Sequence, residues 1–133
     1  MATYLIYGGR LFKIYAWKEK DSCQVLDFLS KLDEESNNDS KRLVYLIQRT
    51  AEVGIIKNER QSRLLENGIY EFKAPNTSRI LYFFDKDSTI ICTHGFGGKY
   101  GAGKTVKKEI ERATEIKDRY LREKFDVKNK KQK

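Results

Sequence analysis

Residues 65–113 read LENGIYEFKAPNTSRILYFFDKDSTIICTHGFGGKYGAGKTVKKEIERA, and their punctuation decides the fold. Asn67-Gly68 is a tight-turn pair, Pro75-Asn76-Thr77 marks a second turn and Lys86-Asp87 a third. Between them lie Ile69 to Ala74, Ser78 to Asp85 and Ser88 to Phe96, three runs of strand length rich in apolar and aromatic residues. Turns this short join antiparallel neighbours, so the stretch predicts a three-stranded meander. Beyond it Val106, Ile110, Ala113, Ile116 and Tyr120 recur at helical spacing. They predict a closing helix that lays one apolar stripe on the sheet and turns its Lys and Arg outward.

Upstream, Leu11 to Trp17 alternates apolar and polar residues, the period of a half-buried strand. Asp21 and Ser22 can cap a helix whose Val25, Phe28, Leu29 and Leu32 share one face. The polar run Asp33 to Ser40 is a connector, and Asp39 or Ser40 caps a second helix with Leu43, Leu46, Ile47 and Thr50 inside. Gly54 suits its end, since glycine adopts positive φ without steric penalty. The expected class is α+β: an N-terminal helical hairpin packed on a small antiparallel sheet, with a closing C-terminal helix. One domain is expected over residues 1–122, and a basic flexible tail over 123–133.

Charge narrows the partners. The 27 Lys+Arg exceed the 19 Asp+Glu, giving +8 over 133 residues. Residues 104–133 hold twelve of those cations and six acids, a net of +6. Such a balance favours nucleic acid or an acidic protein as partner. Cys23 and Cys92 stand far apart without a CxxC pair and read as core thiols, neither disulfide nor metal ligands. The first residues lack a basic start followed by a long apolar run, and no window approaches ~18 apolar residues. A cytoplasmic protein without membrane association is expected.

Gly98 to Thr105 matches the phosphate-binding pattern GxxxxGK[ST], after an expected strand and before an expected helix. In nucleotide hydrolases that loop follows the first strand of a parallel sheet, and later strands supply an acid for magnesium. Here the residues after Thr105 carry a helical period and no strand pattern. What remains is a cationic, glycine-rich loop at a helix start, suited to an anion such as RNA phosphate.

Four elements carry a resemblance: Leu65 to Lys73, Arg79 to Tyr82, Cys92 to Lys99 and Lys104 to Ala113. In this order and spacing they resemble the HigB-like, phage-derived Gp49-like branch of the RelE/ParE superfamily of type II toxin–antitoxin toxins. VLDFLSKL at Val25 to Leu32 and the helix ending at Gly54 fit as well, so the likeness spans roughly residues 11–122. Two departures stand out. Gly97-Gly98 and a longer glycine-rich insertion replace the family's adjacent lysines, and Val106 replaces its usual proline.

The resemblance implies a RelE-like fold and ribosome-dependent mRNA cleavage by a metal-independent endoribonuclease, with no cofactor. In that chemistry a 2′-hydroxyl attacks the adjacent phosphate. It needs a proton acceptor, charge on the phosphorane oxygens and a donor for the leaving oxygen. Arg79 is the expected clamp, its planar guanidinium able to hold two phosphate oxygens. The plain alternative is a strand-end arginine paired with Glu71. Lys73 matches the family's basic position on the neighbouring strand end and would neutralise the same phosphate; otherwise it is a solvated hairpin lysine.

His94 is the sole histidine, and an ordinary pKa of ~6.5 suits acid or base work. On strict alternation it shares a face with Ile90, Cys92 and Phe96, where a satisfied core histidine is the plain alternative. Lys99 and Lys104 would hold phosphates and Tyr100 would stack on a base. Lys107 and Lys108 would steer the chain to RNA. The implied partners are a small helix-turn-helix DNA-binding antitoxin, the ribosome and mRNA, with operator DNA reached only through the antitoxin complex. Two rival readings are a non-catalytic ParE-like inhibitor of DNA gyrase and an inactive phage or mobile-element relative that binds RNA or protein.

Overall fold

The computed structural model describes residues 2–97 and 107–131, with side chains through Phe125. The glycine-rich motif, with Lys99, Tyr100 and Lys104, lies outside the described residues. The elements run β1 (Thr3–Gly8), β2 (Lys13–Trp17), α1 (Gln24–Glu34), α2 (Asp39–Val53), β3 (Ser62–Leu64), β4 (Tyr70–Lys73), β5 (Arg79–Asp85), β6 (Thr89–Phe96) and α3 (Lys107–Lys131).

The strands form one six-stranded sheet in the order β1-β2-β6-β5-β4-β3. This corrects the expected architecture. The N-terminal element is a strand pair rather than a helical hairpin, and the sheet is larger than a meander and mixed, because β2 runs parallel to β6. Burial explains the insertion. Ile14 and Ala16 are fully buried opposite Ile90 and Cys92, so β2 closes the apolar flank that β6 would otherwise expose. Parallel neighbours need a long crossover, and everything from α1 to β5 supplies it. On the outside of β2, β1 pairs antiparallel and leaves Tyr4 and Leu5 exposed, which is why it lacks a buried strand's sequence pattern.

The meander turns follow from local chemistry. Asn67 and Gly68 take φ of 58° and 74°, and Asp87 and Ser88 take 60° and 55°, the paired positive values that match a hairpin's twist. Gly54 ends α2 at φ 113°. One sheet face is covered by α1 and α2 over Val25, Leu43, Leu46, Phe72, Ile80 and Tyr82. The other is covered by α3 over Ile69, Leu81, Phe83, Ile91 and Ala113. At its far end α3 is pinned by Asp85, which accepts from Tyr120 at 2.6 Å and pairs with Lys124 at 2.7 Å. The helix continues to Lys131, through the stretch read as a basic tail.

Helix α1 begins at Gln24 without a side-chain cap, and neither Asp21 nor Ser22 fills that role. The Gln24 amide instead bonds both backbone groups of Gly95, Nε2 donating to its carbonyl and Oε1 accepting from its N–H, each at 2.7 Å. A Cβ at Gly95 would overlap the Phe28 ring, so glycine there lets α1 lie directly on β6. This close approach accounts for the glycine of the His94-Gly95-Phe96 element.

Candidate functional site

Strand β4 presents Glu71 and Lys73 to the α3 side of the sheet. In register, Arg63 stands opposite Glu71 on β3, Leu81 opposite Glu71 on β5, and Arg79 opposite Lys73. Glu71 is fully buried and shared by two arginines: Arg63 Nε lies 2.8 Å from Oε1, and Arg79 Nη1 lies 3.3 Å from Oε2. The pairing of Arg79 with Glu71 is thus present, with the arginine buried rather than exposed at a strand end. Two cations facing each other across a ladder repel, and the carboxylate one rung inward offsets that cost.

Partial burial lowers the pKa of Lys73 from its ordinary value, Arg63 and Arg79 lower it further, and Glu71 opposes them. Three cations around one carboxylate leave the end of the β3–β4–β5 ribbon positively charged. Such a cluster suits a phosphate, which accepts from guanidinium and ammonium together.

His94 sits elsewhere than strict alternation predicts. A bulge between Leu81 and Tyr82 sets Leu81 opposite His94 but Tyr82 opposite Cys92, skipping Thr93. Ile90 and Cys92 therefore pack toward the α1–α2 face, while His94 and Phe96 turn to the α3 face with Leu81 and Arg79. His94 is fully buried, one rung deeper than the Arg79–Phe96 pair.

The Thr93 hydroxyl donates to the Leu81 carbonyl at 3.3 Å, which leaves it to accept from His94 Nδ1–H at 3.1 Å. Nε2 then carries the lone pair. It has no hydrogen-bond partner among the described residues, and Glu109 Oε1 of α3 lies 3.6 Å away. Burial, aided by Arg112, lowers the His94 pKa from 6.5 to about 3, so the ring is neutral at physiological pH.

This has a measurable consequence. The unfolded chain takes up a proton near pH 6.5 that the native state refuses until about pH 3, so native stability falls as pH drops between those values. Urea unfolding of the native chain between pH 6.5 and 4 is expected to lose up to ~1.4 kcal/mol per pH unit from this group. His94→Gln should flatten that slope, and an equal slope in both proteins would refute the assignment.

Lys107 and Lys108 are exposed in the first turn of α3. The fold thus brings Lys73 and Arg79 together as register partners and sets His94 behind them. Arg63 and Glu71 complete the cluster. Arg63 escaped the sequence reading because β3 has only three residues and no periodic signal. Glu71 was legible only as a plain ion-pair partner. Among the described residues no group of His, Cys, Asp and Glu side chains could hold a metal ion, and no helix is long and apolar enough to cross a membrane.

The family described as "Phage derived protein Gp49-like" matches residues 27–118, which include α1 from its first turn, the cationic cluster, His94 and the N-terminal half of α3. No curated protein matches the chain. Among solved structures, the YoeB-YefM complex from Staphylococcus aureus aligns at 16% identity and a TM-score of 0.49, covering 67% of this chain and 98% of that one.

Proposed function

Because the chain belongs to the phage-derived Gp49-like family, we propose that it is the toxin of a type II toxin–antitoxin system, a ribosome-dependent endoribonuclease held silent by a cognate antitoxin. The observation that carries this reading is the register-paired Lys73 and Arg79 at the sheet end, set around buried Glu71 and joined by Arg63. Arg79 clamps the scissile phosphate and stabilises the phosphorane, and Lys73 neutralises it. Lys99, Tyr100, Lys104, Lys107 and Lys108 hold the flanking strand. His94 contributes through Nε2, which becomes a competent proton acceptor once water reaches the ring and relieves the desolvation that lowers its pKa. A hydroxyl reaches it only if the first turn of α3, with Glu109, moves aside.

The burial of His94, and of Arg79 against Glu71, favours one second reading, a relative that keeps the fold and blocks a protein target such as gyrase without cleaving. Mapping 5′ ends on a translated reporter mRNA, with and without active ribosomes, separates the two. Cuts within codons that vanish when ribosomes are stalled are the expected result. Growth arrest with intact message would replace the nuclease by the protein-directed reading, and no arrest would indicate an inactive relative.

A further inference from the structure

Asp39 opens α2, where an acid normally serves the helix start, yet its side chain is committed elsewhere. Asn37 Oδ1 takes the Asp39 N–H at 2.9 Å. Asp39 itself is 1% exposed, and both of its oxygens reach the β4–β5 turn. Oδ1 accepts from the Asn76 N–H at 3.0 Å, and Oδ2 accepts from the Ser78 N–H at 3.1 Å. A buried carboxylate is tolerated only when such donors satisfy it, and charge-assisted bonds of this kind are strong.

The turn needs the support. Between the two bonded amides, Thr77 holds φ 78°, a value that strains a β-branched residue. The Ala74 N–H closes the turn on the Ser78 carbonyl at 2.9 Å. The residues that flank it are Lys73 and Arg79, paired in register.

We propose that Asp39 is a positioning residue that fixes the separation and orientation of Lys73 and Arg79 by clamping the Asn76 and Ser78 amides. The inference rests on the phosphate-binding role given to that pair above. Through this one carboxylate the α1–α2 layer governs cations that face the opposite side of the sheet.

The test uses the full chain with Asp39→Asn, which keeps the shape but turns one acceptor into a donor. Three readouts are followed: the backbone amide resonances of Asn76 and Ser78, the Arg79 Nε–Hε resonance, and affinity for a 2′-O-methyl RNA pentamer that cannot be cleaved. All three resonances should move, and RNA binding should weaken at least about tenfold, as expected when a binding group is misplaced. Moved amides with an unchanged Arg79 signal and wild-type affinity would overturn the proposal and leave Asp39 a purely structural anchor.

If Asp39→Asn does not fold, Asn76→Pro decides by the Arg79 and RNA readouts, since it deletes one of the clamped donors outside the core. Failure of the wild-type chain to bind the RNA would refute the phosphate-binding role instead. The Arg79 resonance would then still decide whether Asp39 positions the arginine.

Discussion

Arg79→Ala is expected to lower RNA cleavage by about 10²- to 10³-fold, the usual cost of deleting a group aimed at charge that develops in the transition state. The sequence alone suggests that this variant keeps its fold. The structure changes that expectation, because the Arg79 side chain is only 7% exposed and shares Glu71 with Arg63. Deleting it leaves a buried carboxylate with one arginine fewer, so a loss of stability should accompany the loss of activity. Arg79→Lys separates the two roles. It keeps a cation near Glu71 but not the planar fork, so it should hold more stability than alanine while recovering little activity. Cleavage of a reporter mRNA on purified ribosomes, alongside urea unfolding, reads both. Wild-type cleavage by Arg79→Ala would remove the clamp from the mechanism.

Glu71→Ala is expected to cost about 3 kcal/mol, because it strips the fully buried carboxylate from between two arginines and leaves cations facing one another. Arg63 is 31% exposed and can turn toward solvent, whereas Arg79 has little such freedom. The pair is therefore asymmetric: the energetic weight lies on Glu71 with Arg79. Replacing both Glu71 and Arg79 by Met should restore stability to within about 1 kcal/mol of wild type, since an apolar pair of similar volume carries no desolvation cost. That double variant should be stable and inactive. If it proves as unstable as Glu71→Ala, the cluster holds the fold through its shape rather than its charge.

Several elements are legible in the amino-acid sequence. Asn67-Gly68, Pro75 and Lys86-Asp87 delimit β4, β5 and β6 because turn chemistry is local, set by residues that tolerate positive φ or fix it. The apolar spacing of Val25, Leu32, Leu43, Leu46 and Ile47 placed both helices of the α1–α2 layer, because amphipathic period reflects which face is buried. Asp39 shows the limit of such reasoning. An acid at a helix start reads as a cap, but in the folded chain its oxygens bond Asn76 and Ser78, more than thirty residues away. Sequence spacing carries no information about a donor that arrives through tertiary packing.

His94 was visible as a lone histidine on a strand, and strict alternation assigns it to the face of Cys92. One skipped residue at Thr93 moves it to the other face, because a strand's side chains reverse sides with every single-residue slip. The sequence by itself determined the α+β class, the three meander strands, the helix faces and the basic C-terminal stretch from residue 104, since each depends on residues near one another in the chain. Only the tertiary structure decided that β2 inserts in parallel beside β6, that Arg63 and Arg79 meet over Glu71, and that His94 is buried and neutral. Those outcomes depend on which apolar surfaces find each other and on how far water is excluded from each charge, quantities set by the packed chain as a whole.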